Sequence, residues 1–211
     1  MAVIMLMGLL VAIGLPALMS FRGTAVSSGG RGVANSLSLA RQYAITQRRN
    51  TRVVFYYSGT TEEGTGLNAR LRKYNQYGVF VACPTNIASW GNVAWNQVGH
   101  WENLSLGAVF ADNRAPEGGA LDSLRNGRMV RIWTTLVNGV PQGRAQWFTY
   151  AYVEFQPTGE ATPPLSMSNR GTISVYEGGK DNDTGEIRYA LNKNRVNIVY
   201  DSLTGRVRLQ R

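Results

Sequence analysis

The chain has 211 residues, 44% hydrophobic and 17% charged, so it can bury a core without staples and is not wholesale disordered. One cysteine and one histidine exclude a disulfide framework, a cysteine-based zinc site and a multi-histidine metal centre. A net charge of +9 favours anionic partners: nucleic acid, lipid headgroups or an acidic protein face.

The run Met1 to Phe21 carries no charge. At a rise of about 1.5 Å per residue, a helix of this length matches the roughly 30 Å apolar thickness of a bilayer. The run predicts a membrane-spanning helix over 1–21. A buried core helix is rarely apolar all round for this length. A cleaved signal peptide normally starts with a basic region and has a shorter apolar stretch. Six basic residues follow before Ser58 (Arg22, Arg31, Arg41, Arg48, Arg49 and Arg52), and the first acid is Glu62. By the positive-inside rule the bulk of the chain would face the cytoplasm, unless further positive charge precedes Met1.

Ser27-Ser28-Gly29-Gly30 predicts a weak point or break in the helix. Val33, Leu37, Ala40 and Ala44 then recur at helical spacing, and predict an amphipathic helix over roughly 32–49. Asn50 is the expected C-cap. From residue 50 the pattern turns to strands. They are expected at Arg52–Tyr57, Leu67–Tyr74, Gly78–Cys83, Leu104–Ala111, Arg128–Leu136, Ala145–Phe155, Gly171–Tyr176, Ile187–Leu191, Arg195–Tyr200 and Arg206–Leu209. Asn126-Gly127, Asn138-Gly139 and Thr204-Gly205 read as turns, and 84–103 and 112–127 as long loops. The expected fold class is α+β. A long N-terminal helix, membrane-spanning in its first half (1–21) and amphipathic in its continuation (22–49), packs on a globular β-sheet or β-sandwich head domain (50–211).

Three segments carry a resemblance. The first is the apolar start, with Gly8 and Pro16 inside it. The second is Ser38–Phe55, where Leu39-Ala40-Arg41 leads a helix into the strand at Val53. The third comprises Val153-Glu-Phe-Gln-Pro-Thr-Gly159 and the closing Thr204-Gly-Arg-Val-Arg208. Together they resemble type IV pilins and type II secretion pseudopilins, and within these the FimT/GspH minor pilins. The match covers about half of the chain, at both ends, and the middle matches nothing recognisable. In this alignment the family's basic leader and its glutamate fall before Met1, so the resemblance implies a chain that begins upstream. It implies a single-pass subunit of the bacterial inner membrane, its head periplasmic or extracellular. Such a subunit assembles into a type IV pilus or a type II secretion pseudopilus. The implied partners are other pilin or pseudopilin subunits, the inner membrane before assembly and, where a leader exists, the prepilin peptidase. Gly8 and Pro16 belong to the implied assembly helix.

Arg206 and Arg208 sit two apart, so in a strand they share one face about 6.6 Å apart, close to the phosphate spacing of a nucleic acid strand. Arg211 and Arg195 extend the patch. Some FimT-type pilins bind DNA, and this motif resembles their contact site, which gives the alternative of a membrane-tethered DNA-binding minor pilin for DNA uptake. The plainer reading is a solvated edge strand guarded by charge.

Other candidates read as structural. Asp181 to Glu186 has the oxygens of a calcium loop, but the position of the bidentate glutamate holds Asn192. His100 lies among aromatic residues with no nucleophile elbow in the chain, and Cys83 ends an apolar strand. Arg70, Arg72 and Lys73 with Tyr74 and Tyr77 form either a basic–aromatic surface or an ordinary exposed strand face. No phosphate loop, dinucleotide fingerprint or paired-carboxylate signature appears. No catalytic residue, metal site or cofactor is expected.

Overall fold

The computed structural model describes residues 2–62, 72–83, 94–115, 117–132, 135–137, 140–142, 145–166, 168–181, 186–190 and 194–210, with helix side chains from Thr24 onward. One helix, α1 (Ala2–Gln47), is followed by β1 (Thr51–Phe55), β2 (Thr61–Glu62), β3 (Gln76–Ala82), β4 (Ala94–Asn103) and β5 (Ala108–Phe110). Then come β6 (Arg125–Ile132), β7 (Thr135–Val137), β8 (Val140–Gln142) and β9 (Ala145–Phe155). The chain closes with β10 (Arg170–Lys180), β11 (Ile187–Tyr189), β12 (Arg195–Asp201) and β13 (Val207–Gln210).

The first sheet closes on itself. β1 pairs with β3 on one side and with β9 on the other. β3 pairs with β4, β4 runs parallel to β6, and β6 returns to β9. This ring encloses Val54, Tyr56, Phe80, Trp95, Met129 and Tyr150. Tyr56 packs against Trp101 and Tyr150 with ring centres 5.0 and 5.1 Å apart. Both faces of β1 are therefore covered. Val53 and Phe55 point to the second core, which explains why Val53, Val54 and Phe55 follow one another with no polar alternation.

The second sheet has the order β11-β10-β12-β13, with β5 also paired to β10. Ile173, Val175, Val196, Ile198 and Tyr200 make its buried face. Between that face and the outside of the ring lies the stretch 24–47 of α1, which inserts Val26, Val33, Leu37, Ala40 and Ala44, all fully buried. The expected helical stripe is present.

The expected fold class is overturned. The body is mostly β, in two large sheets and the β7–β8 hairpin, and among the described side chains the stretch 24–47 of the helix is built into it. That stretch is a layer between the sheets, not a support on which a separate head is mounted. Among the described residues no helix is long and apolar enough to cross a membrane. The packing of Gly8 and Pro16 lies outside the described side chains.

Several local expectations also change. The helix does not break at Ser27–Gly30. Gly29 faces Leu104, Val175 and Ala108, and Gly30 faces Val196 and Leu209, so these glycines admit close approach of the sheet. The helix ends at Gln47 and is closed by left-handed Arg48 (φ 52°) rather than by Asn50, and Arg49 N–H closes back on the Ala44 carbonyl at 3.2 Å. The expected loop 84–103 contains β4, and the expected Asn126-Gly127 turn lies inside β6, where Gly127 leaves room for Tyr152. The expected strand over Leu67–Tyr74 ends instead in a turn, with Tyr74 at φ 58°, and its earlier residues lie outside the described ones. Asn138 and Gly139 also lie outside, between the paired β7 and β8.

Candidate functional site

The motif pieces that lie far apart in sequence meet at one place. Arg41 leaves α1 toward the turn after β9 and donates its Nε–H to the Gly159 carbonyl at 3.2 Å. Gly159 has φ 85°, a left-handed value, and a Cβ there would stand 2.9 Å from Ile45 Cδ1. Gly205, in the β12–β13 turn at φ 62°, lies so close that a Cβ on it would overlap the Gly159 oxygen and approach Arg41 Nε to 2.9 Å. Helix, β9 turn and closing hairpin are thus locked by one arginine and two glycines. The glycines are required by both backbone angle and space.

The closing hairpin carries the expected basic patch. Asp201 N–H donates to the Arg206 carbonyl, and the register runs Tyr200↔Val207, Val199↔Arg208, Ile198↔Leu209, Asn197↔Gln210. Asp201 Oδ1 accepts from Thr204 N–H at 2.9 Å and from Thr204 Oγ1 at 3.0 Å, bonds that hold its carboxyl below the usual value. Arg206 precedes the strand and Arg208 lies within it; both are exposed, and among the described residues neither forms an ion pair. Arg195 is differently placed. Its guanidinium donates to Tyr176 Oη at 3.4 Å and pairs with Glu117; the tyrosine bond first and then the carboxylate raise its pKa. Glu117 belongs to the segment after β5, whose Gly119 carbonyl accepts from Ser174 N–H. Arg211 lies outside the described residues.

Sequence reading missed the mouth of the strand ring. Arg52 Nε lies 2.5 Å from Glu154 Oε2, and Asn50 Nδ2 donates to Oε1 at 2.7 Å. The guanidinium stacks between Trp95 and Tyr152, 4.2 and 4.1 Å from the ring centres. The pair is mostly buried, at 16% and 11% side-chain exposure. Both carboxylate oxygens have a donor, so the group closes the ring rather than offering a base. A single charge in each of two otherwise uncharged strands, paired as Arg52↔Glu154, was the available signal.

The other sequence candidates lie elsewhere on the body. Tyr74 and Tyr77 are buried, so the proposed basic–aromatic surface does not form. Arg72 points to Tyr56 Oη, Lys73 donates to the Ser58 carbonyl at 2.8 Å, and Arg70 lies outside the described residues. Burial pushes the Cys83 thiol up, which disfavours a reactive thiolate. Asp181 pairs with Arg188, Glu186 approaches Arg114, and the residues between them lie outside the described ones. Among the described residues no cluster of histidine, cysteine and carboxylates suits a metal ion.

No family model matches the chain, and no curated protein or solved structure matches it.

Proposed function

We propose that this chain is a minor pilin or pseudopilin subunit of the FimT/GspH type. Its charge-free N-terminal segment would join it to the inner membrane and then to neighbouring subunits of a type IV pilus or type II secretion pseudopilus. The observation that carries the reading is the meeting of Arg41, Gly159 and Gly205. The residues of the resemblance are scattered along the sequence, yet together they hold the helix to the β body. The apolar run Met1 to Phe21 adds the physical drive, since burying its surface is worth about 25 cal/mol per Å² in lipid or against other subunits.

The test is made in the cells that produce the protein. The chain should stay with the membranes through alkaline carbonate extraction. With a single photoreactive residue placed at positions between Met1 and Phe21, irradiation should cross-link it to other filament subunits. Release by carbonate, or no cross-link at any position, overturns the reading. Direct DNA contact is the weaker alternative, because of the four arginines of the patch Arg195 is committed to Glu117 and Arg211 lies outside the described residues, which leaves Arg206 and Arg208.

A further inference from the structure

β13 is the last strand of its sheet, and among the described residues it pairs only with β12. The Asp201–Arg206 bond sets the antiparallel alternation, so the backbone of Arg208 and Gln210 turns toward β12. The N–H and C=O groups of Val207 and Leu209 then face away from the sheet, unpaired among the described residues. The side chains beside this edge differ by face. Leu209 shares the face of buried Ile198 and touches the level of Gly30, yet it is 41% exposed. Val207 shares the face of Tyr200 and is half-buried. On the opposite face Arg208 is exposed, with exposed Arg206 just before the strand.

We propose that the free edge of β13 captures an extended segment of a partner protein in which apolar and acidic residues alternate. A strand added here shares both faces of the sheet. Every second side chain of the guest covers Val207 and Leu209 on the helix side. The others stand beside Arg206 and Arg208 on the outer side, where carboxylates complement them. Strand-edge hydrogen bonds supply affinity independent of sequence, and the two faces supply selection. A second copy of this chain is disfavoured as the guest, since its net charge is +9 and its own edge presents the same arginines. The proposal does not depend on the filament reading.

The full chain in detergent is titrated by fluorescence anisotropy with a labelled peptide of roughly eight residues alternating valine and glutamate. The controls are a valine–lysine peptide, a valine–glutamate peptide N-methylated at every second residue, and a labelled DNA duplex. The valine–glutamate peptide should bind, and N-methylation should abolish binding. The double variant Arg206→Glu/Arg208→Glu should weaken the acidic peptide by about tenfold or more and gain affinity for the valine–lysine peptide. Leu209→Pro removes an outward N–H without touching the β12 bonds, and should lose the peptide while melting as a folded protein. If that variant fails to fold, the charge swap alone decides. Binding that survives N-methylation, or that ignores the charge swap, overturns the proposal. So does the absence of peptide binding, and salt-dependent DNA binding lost in the arginine variant would then mark the surface as a nucleic-acid contact.

Discussion

Arg41 and Gly159, 118 residues apart in the chain, are joined by one hydrogen bond of 3.2 Å, and Gly205 closes over both. The two glycines of this lock should be far less replaceable than the arginine. Gly205→Ala adds a Cβ against a backbone oxygen at a left-handed φ, and should cost about 2–4 kcal/mol. Arg41→Ala loses a charged donor at a half-buried carbonyl, and should cost about 1–2 kcal/mol. Denaturant unfolding of both variants checks the order; an equal loss would show that the turn relaxes.

Gly30 allows α1 to approach β12. Gly30→Ala should gain about 1 kcal/mol of helix propensity and lose more to the clash, because the new Cβ would lie 2.7 Å from Val196 Cγ1. The net effect should be destabilising. Val196→Ala on the same background should recover part of the loss, although alone it costs stability. A double-mutant cycle with favourable coupling confirms the contact, and additivity excludes it.

The Arg52–Glu154 pair should behave as a buried unit. Glu154→Leu leaves a guanidinium stacked between Trp95 and Tyr152 without its carboxylate, and should cost about 3–5 kcal/mol. Arg52→Met combined with Glu154→Leu should recover most of that loss. Thermal melts of the single and double variants at one pH measure both.

Lys180 gives a pH signature. Among the described residues its buried Nζ has no hydrogen-bond partner; burial, with Lys73 nearby, lowers its pKa from 10.5 to about 8. The folded state thus binds fewer protons than the unfolded one between pH 8 and 10.5. Stability from this group should rise with pH across that window, and below it the buried charge is a constant cost. Lys180→Met should therefore stabilise the protein at pH 7, by about 1 kcal/mol once partial exposure is allowed for. The gain should fade as the pH is raised toward 10.5; a difference independent of pH would contradict this origin.

The sequence by itself determined what depends on neighbouring residues. The spacing of Val33, Leu37, Ala40 and Ala44 marked the buried helical stripe, and β-branched and aromatic runs marked β1, β9, β10 and β12 close to their places. Thr204-Gly205 marked its turn because a left-handed angle needs a glycine locally. Tertiary structure decided the rest. Gly29 and Gly30 read as a helix break, but the space they leave for Leu104 and Val196 outweighs their poor propensity. The polar stretch Asn96-Gln97 hid β4, whose alternate residues Trp95 and Trp101 fill the ring only once β3 and β6 flank them. Asn126-Gly127 reads as a turn until Tyr152 needs the room of a missing side chain. Arg195 reads as a free cation until Glu117, 78 residues earlier (195 − 117), is folded over it. Each of these depends on a contact between distant segments, and the free energy of such a contact is absent from any local window of the chain.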